Sequence, residues 1–107
     1  MLFRSTRYCS KAVLTGTFNR DLYAGRGHMM GEDGLWSGFM INYNIGADLH
    51  RTPFGGRSFE YMSECPVLSY LASIPETVAM EKTGSHAAPK HFCGTDQEFQ
   101  REGVSVF

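Results

Sequence analysis

The densest group of side chains able to do chemistry lies in the segment SHAAPKHFCGTD, residues 85–96, where His86, His91, Cys93 and Asp96 fall within eleven residues. Imidazole and thiolate are zinc ligands, and a closed structural site needs four of them in a tetrahedron. Neither the C-x-x-C nor the H-x-x-x-H spacing that builds such sites occurs here, so the segment reads as a solvated loop. His86, His91 and Cys93 are the metal candidates in a pattern that does not support a site, and no metal or other cofactor is expected. Cys93 and His91 invite a second reading as a thiolate–imidazole pair. Two residues apart on an extended chain they share a face but stand too far apart for a hydrogen bond, which favours an inert thiol.

Two glycine-rich runs, YAGRGHMMGEDG (23–34) and RTPFGGRSF (51–59), lack the strand-to-helix context and the Lys-Ser/Thr ending of a phosphate loop. Both are expected to be turns and loop. Cys9, Cys65 and Cys93 make an odd count with no close pair, which argues against a dense disulfide framework. No catalytic residue is assigned.

The elements that must position these side chains are short. FMINYNI (39–45) alternates as a half-buried strand does, with Phe39, Ile41, Tyr43 and Ile45 on one face. The spacing predicts a kinked helix or helical hairpin over about 64–83. Ser63 would be its N-cap, Val67, Leu68, Leu71 and Ile74 its buried stripe, Pro75 its break and Gly84 its stop. KAVLTGTF (11–18) fits a strand or a helical turn. A C-terminal helix over about 96–102 follows from Thr95 and Glu98, which have capping-box spacing. The expected fold is α+β, small and largely irregular, with long extended loops. Residues 1–20 would form a basic segment and 21–107 one domain.

Charge narrows the partners. Residues 1–57 carry seven cations against four acids and residues 58–107 carry three against seven, for a net charge of −1. A near-neutral chain has little to offer nucleic acid, whose affinity comes from a net basic surface. No apolar run reaches the roughly 18 residues of a membrane span, so any membrane association would be peripheral. The first twenty residues hold Arg4, Arg7, Lys11 and Arg20 and no acid, the composition of a mitochondrial presequence.

That segment, together with aromatic and Arg side chains of the kind enriched at interfaces, suggests a non-catalytic accessory subunit of a mitochondrial inner-membrane assembly, either a respiratory-chain complex or the ATP synthase. It would bridge neighbouring protein subunits through Phe3, Arg4, Arg7, Tyr8, Trp36, Phe54, Arg57, Phe59 and Tyr61, with the N-terminal segment retained. A free-standing inhibitor of one target protein is the alternative. LFRST (2–6) and Gln100-Arg101-Glu102 also resemble the strand arginine and Gln-x-Glu motif of ADP-ribosyltransferases. That resemblance implies that Arg4 and Glu102 engage a dinucleotide.

Overall fold

The computed structural model describes residues 6–95 and 97–103. Among these, the elements run α1 (Lys11–Thr15), α2 (Arg20–Trp36), β1 (Ile41–Asn42), a 3-10 turn (Ser58–Glu60), α3 (Pro66–Glu81), β2 (His86–Ala87) and a second 3-10 turn (Arg101–Gly103). The fold is α+β. Its frame is the packing of two long helices, α2 against α3, and a parallel β1–β2 pair in the register Ile41↔His86 and Asn42↔Ala87.

The main departure from expectation is α2. The run 23–34, expected to be loop, is helix throughout despite four glycines that each cost roughly 1 kcal/mol relative to alanine. Asn19 caps it, its Oδ1 accepting from Asp21 N at 2.9 Å and Leu22 N at 3.3 Å. The glycines are tolerated because Gly27, Gly31 and Gly34 recur at helical spacing on the buried face, where they let other backbone come close. A Cβ at Gly27 would overlap the backbone carbonyl of Glu76, and one at Gly34 would stand 2.5 Å from Asn42 Nδ2.

The same contact reverses the face predicted for α3. Its buried residues are Ser69, Ala72, Glu76 and Met80, while Val67, Leu71 and Ile74 of the expected stripe are exposed. Small side chains let the backbones approach, so the interface selected Ser69 and Ala72 over the branched residues. The helix begins at Pro66 with Cys65 as N-cap and no side-chain cap, and it continues through Pro75 without a break. Gly84, at φ +93°, closes it as expected.

The expected strand 39–45 is regular only at Ile41–Asn42, and of its predicted inward face only Ile45 is buried. The pairing nevertheless continues beyond the strands, since Lys90 N donates to Ile45 O at 2.9 Å. Leu14, Tyr23, Ile45, Met62 and Ala72 form the core beneath it. The C-terminal helix is reduced to the 3-10 turn. Thr95 gives its N–H to Asp48 Oδ2 at 2.8 Å, and Glu98 pairs with Arg101 at 3.3 Å, so no capping box forms.

Candidate functional site

Two segments that the sequence places 30 residues apart meet beside the β1–β2 pair. Arg57, just ahead of the first 3-10 turn, forks onto Glu60: Nε donates to Oε1 and Nη2 to Oε2, both at 2.9 Å. Bidentate pairs of this kind hold both planes rigidly. The hydrogen bond from Arg57 keeps the Glu60 carboxyl below the usual carboxylate range, and the same contact raises the Arg57 guanidinium. His91 joins them, with Nε2 3.2 Å from Arg57 Nη1 and Nδ1 2.8 Å from the Tyr61 hydroxyl.

Tyr61 is itself fully buried, and burial is the largest cause that pushes its phenol up. Its backbone carbonyl meets His50 Nε2 at 3.0 Å. Buried Asp48 holds the opposite side of the cluster, accepting from Leu49 N and Thr95 N, both at 2.8 Å.

Arg57 and Glu60 open onto a cavity of about 410 Å³, shared with Lys90, Asn44, Tyr43 and Phe59 and floored by Lys11 and Arg26. Tyr43 and Phe59 are exposed and supply apolar ring faces. Close backbone packing shapes the wall at Gly46, where a Cβ would overlap the Glu60 carbonyl.

Behind the floor lies a buried charged triad. Glu76 of α3 is wholly buried and binds Arg26 of α2 through Oε1, with Lys11 Nζ of α1 at 3.8 Å. Lys11 also donates to the Asn44 carbonyl. One atom on each side, Arg26 Nε and Glu76 Oε2, is buried without a hydrogen-bond partner.

Burial is the main reason that the Lys11 amine falls to about 8; the Arg26 charge adds to the drop and Glu76 opposes it. At the far side of Arg26 lies Tyr8, whose ring is 5.7 Å below the guanidinium and whose hydroxyl donates to Asp33 Oδ2 at 2.5 Å. Burial and then Asp33 push that phenol up to about 12.

These two groups predict a pH profile. Between pH 8 and 10.5 the unfolded chain holds the Lys11 proton and the folded chain does not, so stability rises with pH across that window. From pH 10 to 12 Tyr8 acts in the opposite sense, because the folded chain keeps a proton that the unfolded chain loses. Urea midpoints measured from pH 7.5 to 11.5 should peak near pH 10. Lys11→Met should flatten the rising limb, and a profile that only falls above pH 8 would contradict the assignment.

The residues expected to contact partner proteins are scattered. Arg57 and Phe59 are at the cavity, Trp36 and Phe54 are exposed elsewhere, and Arg7 is exposed on the N-terminal segment. Tyr61 is a correction: it is core and cannot reach outward, because its ring packs against His50 and His91. Tyr8 is half-buried against its own chain, while Phe3 and Arg4 lie outside the described residues.

His86, His91 and Cys93 do not converge. His86 faces Glu81 at 3.5 Å, Cys93 is exposed, and no group of three His, Cys, Asp or Glu assembles among the described residues. All three cysteines are free and exposed. The sequence passed over Lys90, Glu60, Asn44, Lys11 and Arg26; the one local signal was the i, i+3 spacing of Arg57 and Glu60.

No protein-family model matches the chain, and no solved structure matches it. Curated relatives do. The chain is 37% identical over 94 residues to "Probable beta-glucosidase H" of Emericella nidulans, covering 88% of this chain and 11% of the relative. It is 31% identical over 101 residues to "Beta-glucosidase BoGH3A" of Bacteroides ovatus, covering 94% and 14%, and 36% identical over 94 residues to "Probable beta-glucosidase H" of Aspergillus clavatus, covering 88% and 11%.

The chain thus spans between a tenth and a seventh of the length of these relatives. Their names overturn the expectation of a non-catalytic mitochondrial subunit, its location, and the inhibitor and ADP-ribosyltransferase alternatives. An acid-free start carries little information in so short a stretch, since it needs no targeting function to arise. Glu102, assigned to a dinucleotide by that second resemblance, is an exposed residue of the last 3-10 turn.

Proposed function

We propose that this chain is a sugar-holding segment of a β-glucosidase-type glycoside hydrolase, with the Arg57–Glu60–His91–Lys90 cavity as its sugar-facing surface. The observation that carries this reading is the likeness to proteins named β-glucosidases along 88–94% of the chain. The cavity supports it. Sugar hydroxyls are matched by rigid donors and acceptors, and their C–H faces by exposed rings such as Tyr43 and Phe59.

In this reading the residues hold and orient the sugar. A glycosidase uses two carboxyl groups roughly 5 to 9.5 Å apart, one of them as a proton donor. Glu60 is unsuited to donate a proton, because Arg57 takes both its oxygens and keeps it ionised. Its role is to fix the Arg57 fork. Tyr61 and Arg57 together fix the plane of His91, which leaves Lys90 beside it to reach a hydroxyl.

Titrating the 107-residue chain with methyl β-glucoside, followed by amide NMR, should shift residues 44–46, 57–61 and 90–91. Arg57→Met should weaken the interaction about tenfold, the loss of one charge-assisted hydrogen bond or more. Equal shifts with unrelated polyols such as glycerol at the same concentration, or none near the cavity, would sink the reading.

A further inference from the structure

We propose that the buried Tyr61 is a positioning residue for Arg57, acting through His91, whose imidazole it holds neutral with the proton on Nδ1. The inference rests on the sugar-binding reading above and deepens it by adding a residue that does not itself line the cavity.

One short turn supplies both ends of the arrangement. Arg57 precedes the 3-10 turn Ser58–Glu60 and Tyr61 follows it, with Tyr61 N donating to Ser58 O at 3.1 Å. His91, brought up after β2, fits between the two: its Nε2 is 3.2 Å from Arg57 Nη1 and its Nδ1 is 2.8 Å from the Tyr61 hydroxyl. The rings of Tyr61 and His91 meet edge to face at 88°.

The inventory of donors then places the proton. A guanidinium donates and has no acceptor, so His91 Nε2 must offer Arg57 its lone pair. An imidazolium, or the tautomer with its proton on Nε2, would set N–H against N–H at that contact. The proton therefore sits on Nδ1 and is donated to the Tyr61 oxygen. That oxygen belongs to a neutral hydroxyl, because burial, with Asp48 and Glu60 adding to it against Thr95 and Arg57, favours the protonated phenol. Tyr61 is only 1% exposed and His50 Nε2 meets its carbonyl at 3.0 Å, so it holds its place from behind.

The consequence reaches the sugar-facing side. Glu60 takes Nε and Nη2 of Arg57 and His91 takes Nη1, so all three nitrogens are fixed. Of the five N–H groups of a guanidinium this leaves one on each terminal nitrogen for a sugar hydroxyl. Without the Tyr61 oxygen, Nδ1–H loses its acceptor. The ring then recovers a hydrogen bond only by moving its proton to Nε2, which releases Arg57.

Long-range 1H–15N correlation on the labelled 107-residue chain at about pH 8 reads the proton directly. His91 should show Nδ1 protonated and Nε2 bare. Tyr61→Phe, which keeps the buried ring, should move proton population onto Nε2 and weaken methyl β-glucoside binding about fivefold, the loss of one hydrogen bond. In a His91→Gln background the amide oxygen accepts from Arg57 with no tautomer to choose, so Tyr61→Phe should cost no further affinity. A purely structural Tyr61 would cost the same in both backgrounds.

A parent spectrum with the proton on Nε2, or on both nitrogens, would overturn this inference whether or not the variants fold. Glucoside shifts at the cavity in that same sample would leave the sugar-binding reading standing. An equal loss of affinity in the two backgrounds would also overturn the inference. Protonated Nδ1 with no glucoside response would overturn the sugar-binding reading, and with it the part given to Tyr61 in holding a sugar.

Discussion

Gly27→Ala should cost about 3 kcal/mol, a large part of the roughly 5–15 kcal/mol that holds a domain of this size. The added methyl has nowhere to go. Besides overlapping the Glu76 carbonyl oxygen it would stand 2.8 Å from the carbonyl carbon and 2.9 Å from Cα, and backbone in the middle of a helix cannot rotate aside as a side chain can. Relief requires α2 and α3 to separate, which would open the core cluster that holds Tyr23 and Ala72 and strain the Arg26–Glu76 pair.

Gly25 is the internal control. It lies in the same helix with nothing within 4 Å of its Cβ position, so Gly25→Ala should stabilise by about 0.5–1 kcal/mol through helix propensity and reduced unfolded-state entropy. Urea unfolding of the two variants should therefore shift in opposite directions. A Gly27→Ala midpoint within about 1 kcal/mol of the parent would refute the close approach.

The second large effect belongs to Glu76. Its carboxylate is wholly buried and neutralises Arg26 and Lys11, whose side chains are 9% and 7% exposed. Glu76→Gln keeps the shape and removes the charge, which leaves two buried cations without a counter-ion and should cost about 3–5 kcal/mol. Lys11 can escape part of that cost by releasing its proton, because loss of Glu76 removes the one nearby group that most favours its charged form.

The destabilisation should therefore be smaller at pH 9 than at pH 6.5, a signature that a packing defect would not produce. Replacing all three residues by methionine should recover most of the loss, since a buried charge network exchanged whole for apolar side chains is commonly neutral or stabilising. Persistent instability of the triple variant would show that the triad's hydrogen bonds, including Lys11 to the Asn44 carbonyl, matter more than its charge balance.

Much of the local structure was legible in the residues. A helix over about 64–83, its Gly84 stop and the α+β class were expected and are found, although the helix starts at Pro66 without a side-chain cap and runs unbroken through Pro75. The helix Arg20–Trp36 was not legible, because glycine is read as a breaker from its intrinsic cost alone. Only the facing helix turns that cost into an advantage. The same blindness inverted α3: a stripe of Val67, Leu71 and Ile74 looks like core until a glycine face selects Ser69, Ala72 and Glu76 instead.

For the site, Arg57 and His91 were noticed for other reasons, one as a contact residue and one as a metal candidate, and neither was linked to the other. Their separation of 34 positions hides a 3.2 Å contact. By itself the sequence determined the α+β class, the helix that ends at Gly84, the absence of metal-ligand spacing and the charge inventory, since these depend on composition and on neighbours within one or two turns. The tertiary structure alone decided which helix faces meet, which cations share a cavity and which acid neutralises them. Those outcomes depend on how closely two backbones approach, and a linear pattern does not encode that distance.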